Sequence, residues 1–462
     1  MRPAVIFIIL TVMIDAMGIG LIIPVMPDLI AQVQSADLSR AALWGGVLAT
    51  TFAVMQFLFS PLVGSLSDRF GRRPVLLTSL TVMALVVAFP KFTRPEGPVM
   101  PLIKAAVCHE FGAPLKIEDV ELRAPEGAEV EVTLDAVAIC HSDISFASGG
   151  WGGSLPAVYG HEAAGRVTAV GDRVSGVSVG DSVVVTLIRA CGSCPNCASG
   201  RPVICETPYD GDTGPLKTKD GGKLHQAMAS GAFAEKVVVD QAQVVRISAD
   251  IPKDAASLIA CGVITGVGAV VNAAQLRAGQ DVVVIGAGGV GLNAIQGARI
   301  AGARRIVAVD MSAEKLEIAK EFGATDGILA TEDKPWGQLE QAIGRKGVDA
   351  VIVTVGAIPA YNDAPKYLAA GGRVVMVGMP HIGDGATYDP GTFAAMGQGT
   401  VGSKMGDVVI QRDIPWMVDL YAQGRLKLDE LISGRWSLEQ INDAIEDTKT
   451  GAARRNVILF DR

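Results

Sequence analysis

The pattern of apolar and polar positions divides this chain into two unlike parts. Residues 4–30 and 41–64 are long apolar stretches, and each exceeds the roughly 20 residues that a helix needs to cross a bilayer. Residues 74–90 form a shorter apolar stretch with a proline at each end. The pattern predicts two or three transmembrane helices within residues 1–90. A secretory signal is not favoured, because no cleavage site made of small residues follows a single short apolar core.

The pattern changes beyond a polar, proline-containing stretch at residues 91–99. Short valine-rich runs separated by Gly and Asp turns continue to about residue 245, as at 130–137 and 165–170. From about 255 to 380, apolar strands alternate with helical patterns, which is typical of a parallel sheet built from βαβ units. An α/β protein is therefore expected, and residues 91–99 fit either a linker or the approach to an internal start at Met100.

Composition and charge support the division and exclude several classes of protein. A chain of 462 residues has room for two to four domains, and 49% hydrophobic residues argue against disorder. The net charge of −8 combines +2 in residues 1–98 with −10 in the rest, and no long basic run predicts a nucleic-acid partner. Arg69, Arg72 and Arg73, between the second and third apolar stretches, predict a cytoplasmic loop.

Four of the seven cysteines lie within 15 residues of one another. Cys191, Cys194, Cys197 and Cys205 have the spacing Cys-x2-Cys-x2-Cys-x7-Cys in a segment rich in turn residues. Four thiolates can close a tetrahedron around zinc and leave no position for a substrate, so the motif predicts a structural zinc site. An iron-sulfur cluster is the chemical alternative, and disulfides are the other use of clustered cysteines.

A second set of metal-binding residue types is scattered along the chain. Cys140, His161 and Cys261 together provide two thiolates and one imidazole, the ligand set of a catalytic zinc that keeps its fourth position open. Each residue alone is equally typical of an ordinary buried side chain. With the four-cysteine motif, this set accounts for every cysteine except Cys108.

A glycine-rich motif follows a predicted strand at residues 281–285. Residues 286–291 read Gly-Ala-Gly-Gly-Val-Gly and lead into a helical pattern, an arrangement that permits close approach of the backbone to a pyrophosphate. Asp310 ends the next strand, 19 residues beyond Gly291, where it would accept both ribose hydroxyls and repel a 2′-phosphate. This predicts NAD as the cofactor. If Asp310 were only a turn residue before a helix cap at Ser312, NADP would remain an alternative cofactor.

With these motifs in this order, residues 100–462 resemble the zinc-dependent medium-chain alcohol dehydrogenases. The resemblance implies a GroES-like catalytic domain, rich in β-strands, at residues 100–262 and 380–462. It also implies a Rossmann domain with a doubly wound parallel sheet that binds NAD at residues 263–379.

The resemblance assigns roles to individual residues. Two zinc ions per chain are implied, a catalytic one on Cys140, His161 and Cys261 and a structural one on Cys191, Cys194, Cys197 and Cys205. Ser142 matches the hydroxyl that passes the alcohol proton outward, Asp143 the partner of the zinc-bound histidine, and Glu162 the acid near the metal. The expected cofactor-binding residues are His141, Gly286, Gly288, Gly289, Val290, Gly291, Asp310, Lys315 and Arg455, with His141 and Arg455 at the pyrophosphate.

The activity implied is reversible hydride transfer between a primary or secondary alcohol and NAD. Ser145 stands where many members have a histidine that completes the proton path, Leu187 replaces a common aromatic, and Trp151 adds bulk to another wall. These residues do not identify the alcohol or aldehyde. A zinc-dependent quinone or polyol dehydrogenase is an alternative, and so is a membrane protein with a vestigial dehydrogenase part. The family implies a homo-oligomer, either a dimer or a tetramer.

The first 90 residues resemble a different family. Residues 64–74, Gly-Ser-Leu-Ser-Asp-Arg-Phe-Gly-Arg-Arg-Pro, are similar to the signature between helices 2 and 3 of major facilitator transporters. Residues 15–24 look like the first helix of the tetracycline-efflux branch. Such transporters need about twelve helices, and two or three correspond to a truncated transporter. Asp15 is therefore interpreted either as an intramembrane ionisable site or as part of a remnant whose partner helices are missing. We expect the working dehydrogenase to start at Met100 and to be cytoplasmic. The membrane with which residues 1–90 would associate is the cytoplasmic membrane.

Overall fold

The computed structural model describes residues 101–460 and six helical positions before them, namely Thr50, Val54, Phe57, Leu58, Ser65 and Arg69. Apart from those positions, the predicted membrane helices at 4–30, 41–64 and 74–90 lie outside the described residues. The chain divides into two compact units, Met1–Pro98 and Val99–Arg462.

Residues 101–460 contain three β-sheets. Their strands are β1 (Leu102–Cys108), β2 (Lys116–Leu122), β3 (Glu129–Ala138), β4 (Ala157–Val158), β5 (Glu162–Val170), β6 (Ser182–Val185), β7 (Leu216–Thr218), β8 (His225–Gln226), β9 (Lys236–Asp240), β10 (Val244–Arg246), β11 (Asp281–Ile285), β12 (Arg305–Asp310), β13 (Asp326–Leu329), β14 (Val348–Val353), β15 (Leu368–Met376), β16 (Gly399–Gly402), β17 (Ile432–Ser437) and β18 (Arg455–Leu459).

The first ten strands and the last two form a β-rich region of two sheets. One sheet has the order β7-β2-β1-β4-β8, and the other has the order β10-β6-β5-β3-β18-β17, with β9 also paired to β3. The central strand β3 is buried along most of its length because β5, β18 and β9 all hydrogen-bond to it. The short Val-rich strands expected from the sequence are thus present, and the C-terminal strands β17 and β18 complete their second sheet.

The third sheet is entirely parallel and has the order β13-β12-β11-β14-β15-β16. This is the doubly wound order of a Rossmann sheet, which confirms the expected βαβ architecture. Its central strand β11, Asp-Val-Val-Val-Ile, is fully buried, as expected for a strand covered on both faces. The sixth strand, β16, pairs with β15 although it lies beyond residue 379, so the sheet extends past the sequence-based boundary.

Ten α-helices, apart from short 3-10 turns, connect or cover the strands in the described part of the chain. They are α1 (His141–Ala147), α2 (Pro195–Ala198), α3 (Lys253–Ala273), α4 (Gly289–Ala301), α5 (Ala313–Phe322), α6 (Leu339–Ile343), α7 (Ile358–Asp363), α8 (Pro390–Met396), α9 (Ile410–Ala422) and α10 (Ile441–Lys449). Among the described residues, α3 alone is long and apolar enough to span a bilayer, but 89% of its apolar stretch is buried inside the protein. Its length and apolar composition are those of a core helix of residues 101–460.

A cleft of about 1560 Å³ is lined by residues of both the β-rich region and the parallel sheet. One side is formed by the start of α1 and the segment before α2, and the other by the loops at the carboxyl ends of β11, β12 and β14. Ligands of doubly wound folds bind at this edge of the sheet, where the strand order reverses. The fold therefore places the glycine-rich loop in the same cleft as α1.

Candidate functional site

A buried cluster of metal-binding side chains lies at the cleft. Ligand atoms of Cys140, His161, Glu162 and Cys261 all lie within 4.8 Å of one another. Cys140 precedes α1, His161 and Glu162 lie at the start of β5, and Cys261 lies in a π-helical segment of α3. The structure thus brings together residues that are up to 121 positions apart in the sequence. Such π-helical turns occur frequently at functional sites.

Asp143 orients the imidazole of His161. Its Oδ1 atom lies 3.0 Å from His161 Nδ1 and accepts a hydrogen bond from the Gly160 amide, while Oδ2 accepts one from the Cys140 amide. Because the carboxylate only accepts, Nδ1 carries a proton, and Nε2 is the nitrogen that can bind a metal once its own proton is displaced. That Nε2 atom is buried and has no hydrogen-bond partner. An unpartnered imidazole nitrogen beside two thiols fits a metal ligand, so these residues suit a zinc ion.

The pKa values in the protein without a metal show how the cluster shares its protons. A hydrogen bond from the Cys261 thiol, helped by His161 and opposed by burial, lowers the pKa of Cys140 well below its usual value. The same hydrogen bond raises the pKa of Cys261. Burial disfavours the charged form of His161, but Asp143 and Cys140 outweigh it and raise the His161 pKa. A metal that binds here must displace these protons.

Glu162 and Arg455 form a buried ion pair next to the cluster. Their side chains are 0% and 6% exposed, and burial raises the pKa of Glu162 to about 7 even though Arg455 opposes the rise. A Cβ atom added at Gly289 would lie 2.7 Å from Arg455 Cδ, so this side chain also supports the glycine-rich loop. Arg455 lines the cleft as expected from the sequence, but its described charge partner is Glu162.

The glycine-rich loop presents bare backbone to the cleft. Gly286 has φ +96°, and a Cβ atom at Gly291 would lie 1.7 Å from the Gly286 oxygen, so the turn requires glycine at both positions. No atom lies within 4 Å of a Cβ atom built on Gly288, which leaves open space above the start of α4. An anionic group fits there because the amides at a helix N-terminus point toward it.

Asp310 contacts both the glycine-rich loop and the turn before α5. Its Oδ2 atom accepts a hydrogen bond from the Ala287 amide at 2.7 Å, and Oδ1 accepts one from the Ser312 amide at 3.0 Å. Ser312 caps α5 through a hydrogen bond from the Lys315 amide. Asp310 and Lys315 both line the cleft. The carboxylate therefore ties the glycine-rich loop to the end of β12 and faces the space beside it.

The four cysteines of the spaced motif form a second cluster. The sulfur atoms of Cys191, Cys194, Cys197 and Cys205 lie within 4.8 Å of one another, and no disulfide joins any of the chain's cysteines, all of which are described. Backbone amides donate to these sulfurs, as from Cys194 to Cys191 at 3.2 Å. A hydrogen bond from Thr207, together with the Ser193 and Cys194 amides, lowers the pKa of Cys191 to about 5. Four converging sulfur atoms suit a closed metal site. Cys108 is buried in the β-rich core, apart from both clusters.

The comparisons with known proteins follow the same division of the chain. Residues 126–249 match the model "Alcohol dehydrogenase GroES-like domain", and residues 289–423 match "Zinc-binding dehydrogenase". An NDMA-dependent alcohol dehydrogenase from Amycolatopsis methanolica is 36% identical over 365 residues, which are 77% of this chain and 98% of the relative. The chain belongs to the zinc-type alcohol dehydrogenases.

Other members of this alcohol dehydrogenase family agree in fold and extent. A probable S-(hydroxymethyl)glutathione dehydrogenase of Schizosaccharomyces pombe is 35% identical, over 78% of this chain and 97% of its own. The crystal structure of benzyl alcohol dehydrogenase from Acinetobacter calcoaceticus superposes with a TM-score of 0.73 at 29% identity, covering 78% of this chain and all of that one. The medium-chain dehydrogenase fold with GroES-like and Rossmann-like domains is thereby confirmed.

The N-terminal resemblance is also matched. Residues 8–112 match the model "Major Facilitator Superfamily". The far end of this match overlaps β1 (Leu102–Cys108), which the structure places in the five-stranded sheet of the β-rich region. Residues 102–108 therefore belong structurally to the alcohol dehydrogenase.

The cleft of this alcohol dehydrogenase contains both expected and unexpected residues. His141, Ser142, Ser145, Trp151 and Leu187 line it, as the sequence analysis expected of a substrate and cofactor site. Three further lining residues were not predicted from the sequence, namely Met405, whose Sδ atom lies 3.8 Å from Cys261 Sγ, Thr265 beside it, and His225, which pairs with Asp212 at 2.7 Å. None of these three belongs to a spaced motif, so no local signal singled them out.

Proposed function

We propose that this alcohol dehydrogenase transfers a hydride reversibly between a primary or secondary alcohol and NAD, and that Cys140, His161 and Cys261 hold the zinc ion it requires. One observation carries the proposal. The buried cluster, with its unpartnered His161 nitrogen, and the glycine-rich loop open into the same cleft. A substrate oxygen at the cluster would therefore lie in the space that also receives a nicotinamide.

The residues of the chain have distinct tasks in this reaction. Zinc supplies Lewis-acid polarisation of the substrate oxygen when bound, and NAD supplies the hydride acceptor. Ser142, on the cleft wall, accepts the hydroxyl proton of the alcohol and passes it toward solvent. Asp143 keeps the His161 proton on Nδ1, and Trp151, packed edge-on against Phe146 at 5.2 Å between ring centroids, narrows the space for the substrate.

A second zinc ion is assigned to Cys191, Cys194, Cys197 and Cys205. The proposal is supported by the four converging sulfur atoms and by the backbone amides that donate to them. An iron-sulfur cluster would use the same four ligands, and metal analysis distinguishes the two. The role of this site is structural because four protein ligands leave zinc no open position.

NAD is proposed over NADP because of Asp310. Its carboxylate faces the cleft beside the glycine-rich loop, where it would accept hydrogen bonds from ribose hydroxyls and repel a phosphate. The hydrogen bonds to the Ala287 and Ser312 amides hold the carboxylate in place while each oxygen keeps a free lone pair.

The proposal extends to the whole chain. Residues 100–262 and 380–462 would form the catalytic domain around a cofactor domain at 263–379, with β16 contributed to the cofactor domain's sheet from the later segment. Residues 91–99 would act as a linker from a major facilitator fragment at residues 1–90, whose two or three helices would sit in the cytoplasmic membrane. The dehydrogenase would work in the cytoplasm as a dimer or tetramer.

The proposal is tested by following NADH formation with the purified full chain. Ethanol, isopropanol, benzyl alcohol and sorbitol are offered as substrates, before and after removal of metal with a chelator and after zinc is restored. We expect activity with at least one simple alcohol, loss on chelation and recovery with zinc. Activity confined to sorbitol would favour a polyol dehydrogenase, and activity that survives complete metal removal would refute the proposed site.

A further inference from the structure

The cleft carries an excess of positive charge, and some of its cations lie away from the end that would bind the cofactor. Among the described residues that line it, three are carboxylates and six are permanent cations: Asp310, Asp384, Asp407, and Arg189, Arg201, Lys315, Lys404, Arg454, Arg455. Lys315 and Arg454 lie at the cofactor end, since Lys315 Nζ is 3.6 Å from a Cβ atom built on Gly451 and the Arg454 oxygen is 3.0 Å from one built on Gly289. Three of the remaining cations have carboxylate neighbours.

Lys404 is the cation in this set for which no carboxylate neighbour is found among the described residues. Arg455 pairs with Glu162, and Arg189 lies 3.5 Å from Asp240. Arg201 acts on Asp407, whose pKa burial raises and Arg201 lowers. Lys404 is exposed in the cleft, and no hydrogen bond or ion pair of its ammonium group is found among the described residues. An unpaired ammonium in a substrate cleft attracts an anion.

Lys404 directly precedes a residue that contacts the metal cluster. The next residue, Met405, places its Sδ atom 3.8 Å from Cys261 Sγ. Met405, Gly406 and Asp407 have φ values of 51°, 68° and 49°, a left-handed run that two of them adopt at a conformational cost. A Cβ atom at Gly406 would lie 2.2 Å from the Ile264 oxygen, so the loop is pressed against α3. The position of Lys404 relative to Cys261 is thus fixed by packing of the loop.

We propose that Lys404 determines specificity by binding a carboxylate at the end of the substrate opposite its hydroxyl group. The inference rests on the proposed function, because it takes the reacting carbon to lie at the cluster of Cys140, His161 and Cys261. The substrate class is then the ω-hydroxy acids and the corresponding aldehyde acids. Arg201 and Asp407 line the same cleft and have opposite charges, so the carboxylate nearest to Lys404 in the sequence has another cation near it, and the Lys404 charge is available for the substrate carboxylate.

The test compares matched substrates that differ only in the terminal charge. The kcat/KM values for ω-hydroxyhexanoate and hexanol are measured with the full chain, with ω-hydroxybutyrate and ω-hydroxyoctanoate as length controls. We expect at least one hydroxy acid to be preferred over hexanol, through a lower KM, and the preference to shrink at high salt. Lys404→Met should reduce that preference by about fivefold, the range of a partly exposed ion pair, and leave hexanol unchanged.

Lys346→Met is the control, because Lys346 is also exposed but does not line the cleft. It should preserve the preference. Wild-type protein that oxidises hexanol without preferring any hydroxy acid would overturn the inference and leave the proposed function intact. A rise in KM for NAD with both substrates in Lys404→Met would assign the lysine to the cofactor and also overturn it. No NADH formation with any of these substrates, or with the simple alcohols above, would refute the proposed function itself.

Discussion

At the scale of single residues, Ser142 is the group on which the proton path depends. It follows Cys140 by two positions and lines the cleft. Ser142→Ala removes the hydroxyl, so we expect kcat to fall by about a hundredfold, the usual contribution of a positioned acid or base. Ser142→Thr keeps the hydroxyl and should retain most of the activity, as measured by steady-state kinetics over a range of pH.

Ser145 provides the matched control for Ser142. It lines the same cleft but stands where the proton path would continue into bulk water. Ser145→Ala should therefore change kcat less than threefold, a small effect beside the contribution of a positioned proton acceptor. Equal losses in Ser142→Ala and Ser145→Ala, or no loss in Ser142→Ala, would remove Ser142 from the mechanism.

Asp310 is the residue that decides the choice of cofactor. Asp310→Asn removes the charge and keeps the size of the side chain, with one oxygen that still accepts a hydrogen bond from the Ala287 or the Ser312 amide, whereas Asp310→Gly removes the acceptors for both amides. Both variants should narrow the ratio of NAD to NADP kcat/KM by about tenfold or more, because a like charge no longer opposes the 2′-phosphate. Comparable use of NAD and NADP by the unaltered protein would contradict the assignment.

The residue scale also shows where sequence reasoning ends. The sequence could predict that Cys140, His161 and Cys261 lie together, because few side-chain types bind zinc. The contact between Met405 and Cys261 spans 144 positions, and methionine carries no spacing signal. Likewise, the sequence places Arg455 near the cofactor, but only the folded β18 shows that its guanidinium is buried against Glu162. Partners of this kind depend on tertiary packing.

At the scale of elements, the four-cysteine loop is expected to contribute stability and not turnover chemistry. Cys194→Ser should remove one metal ion per chain and lower Tm by about 10 °C or more, because metal binding there is coupled to folding of the loop. Cys108→Ala, outside both clusters, should keep the full metal content. Thermal unfolding and metal analysis of both variants provide the check. Loss of kcat in Cys194→Ser at unchanged Tm would reverse the proposed roles.

Elements with local signals were predictable, and those without were not. The strand, glycine turn and helix from β11 to α4 follow one another within 21 residues, so their geometry is encoded in one segment. The edge strand β16, Gly-Thr-Val-Gly, is too short and too glycine-rich to stand out. It forms a strand because it pairs in parallel with the edge of β15, a contact that the local sequence does not show. For that reason the boundary of the cofactor domain predicted at residue 379 lies before this strand.

At the scale of the whole molecule, residues 99–462 form a compact unit by themselves. A shortened protein that begins at Met100 should therefore be soluble and have the specific activity of the full chain, since every residue of the cleft lies after residue 138. The measurement is the kcat of both forms after purification. Insoluble or inactive shortened protein would show that residues 1–99 belong to the functional unit.

The central claim is that Cys140, His161 and Cys261 bind a zinc ion distinct from the one on the four-cysteine loop. The most direct test is elemental analysis of the purified chain and of its His161→Ala variant, together with NADH formation. The claim predicts two zinc ions per wild-type chain, and one in a folded variant that no longer oxidises alcohols. A single zinc ion or iron in the wild-type chain, or an unchanged zinc content in His161→Ala, would contradict it.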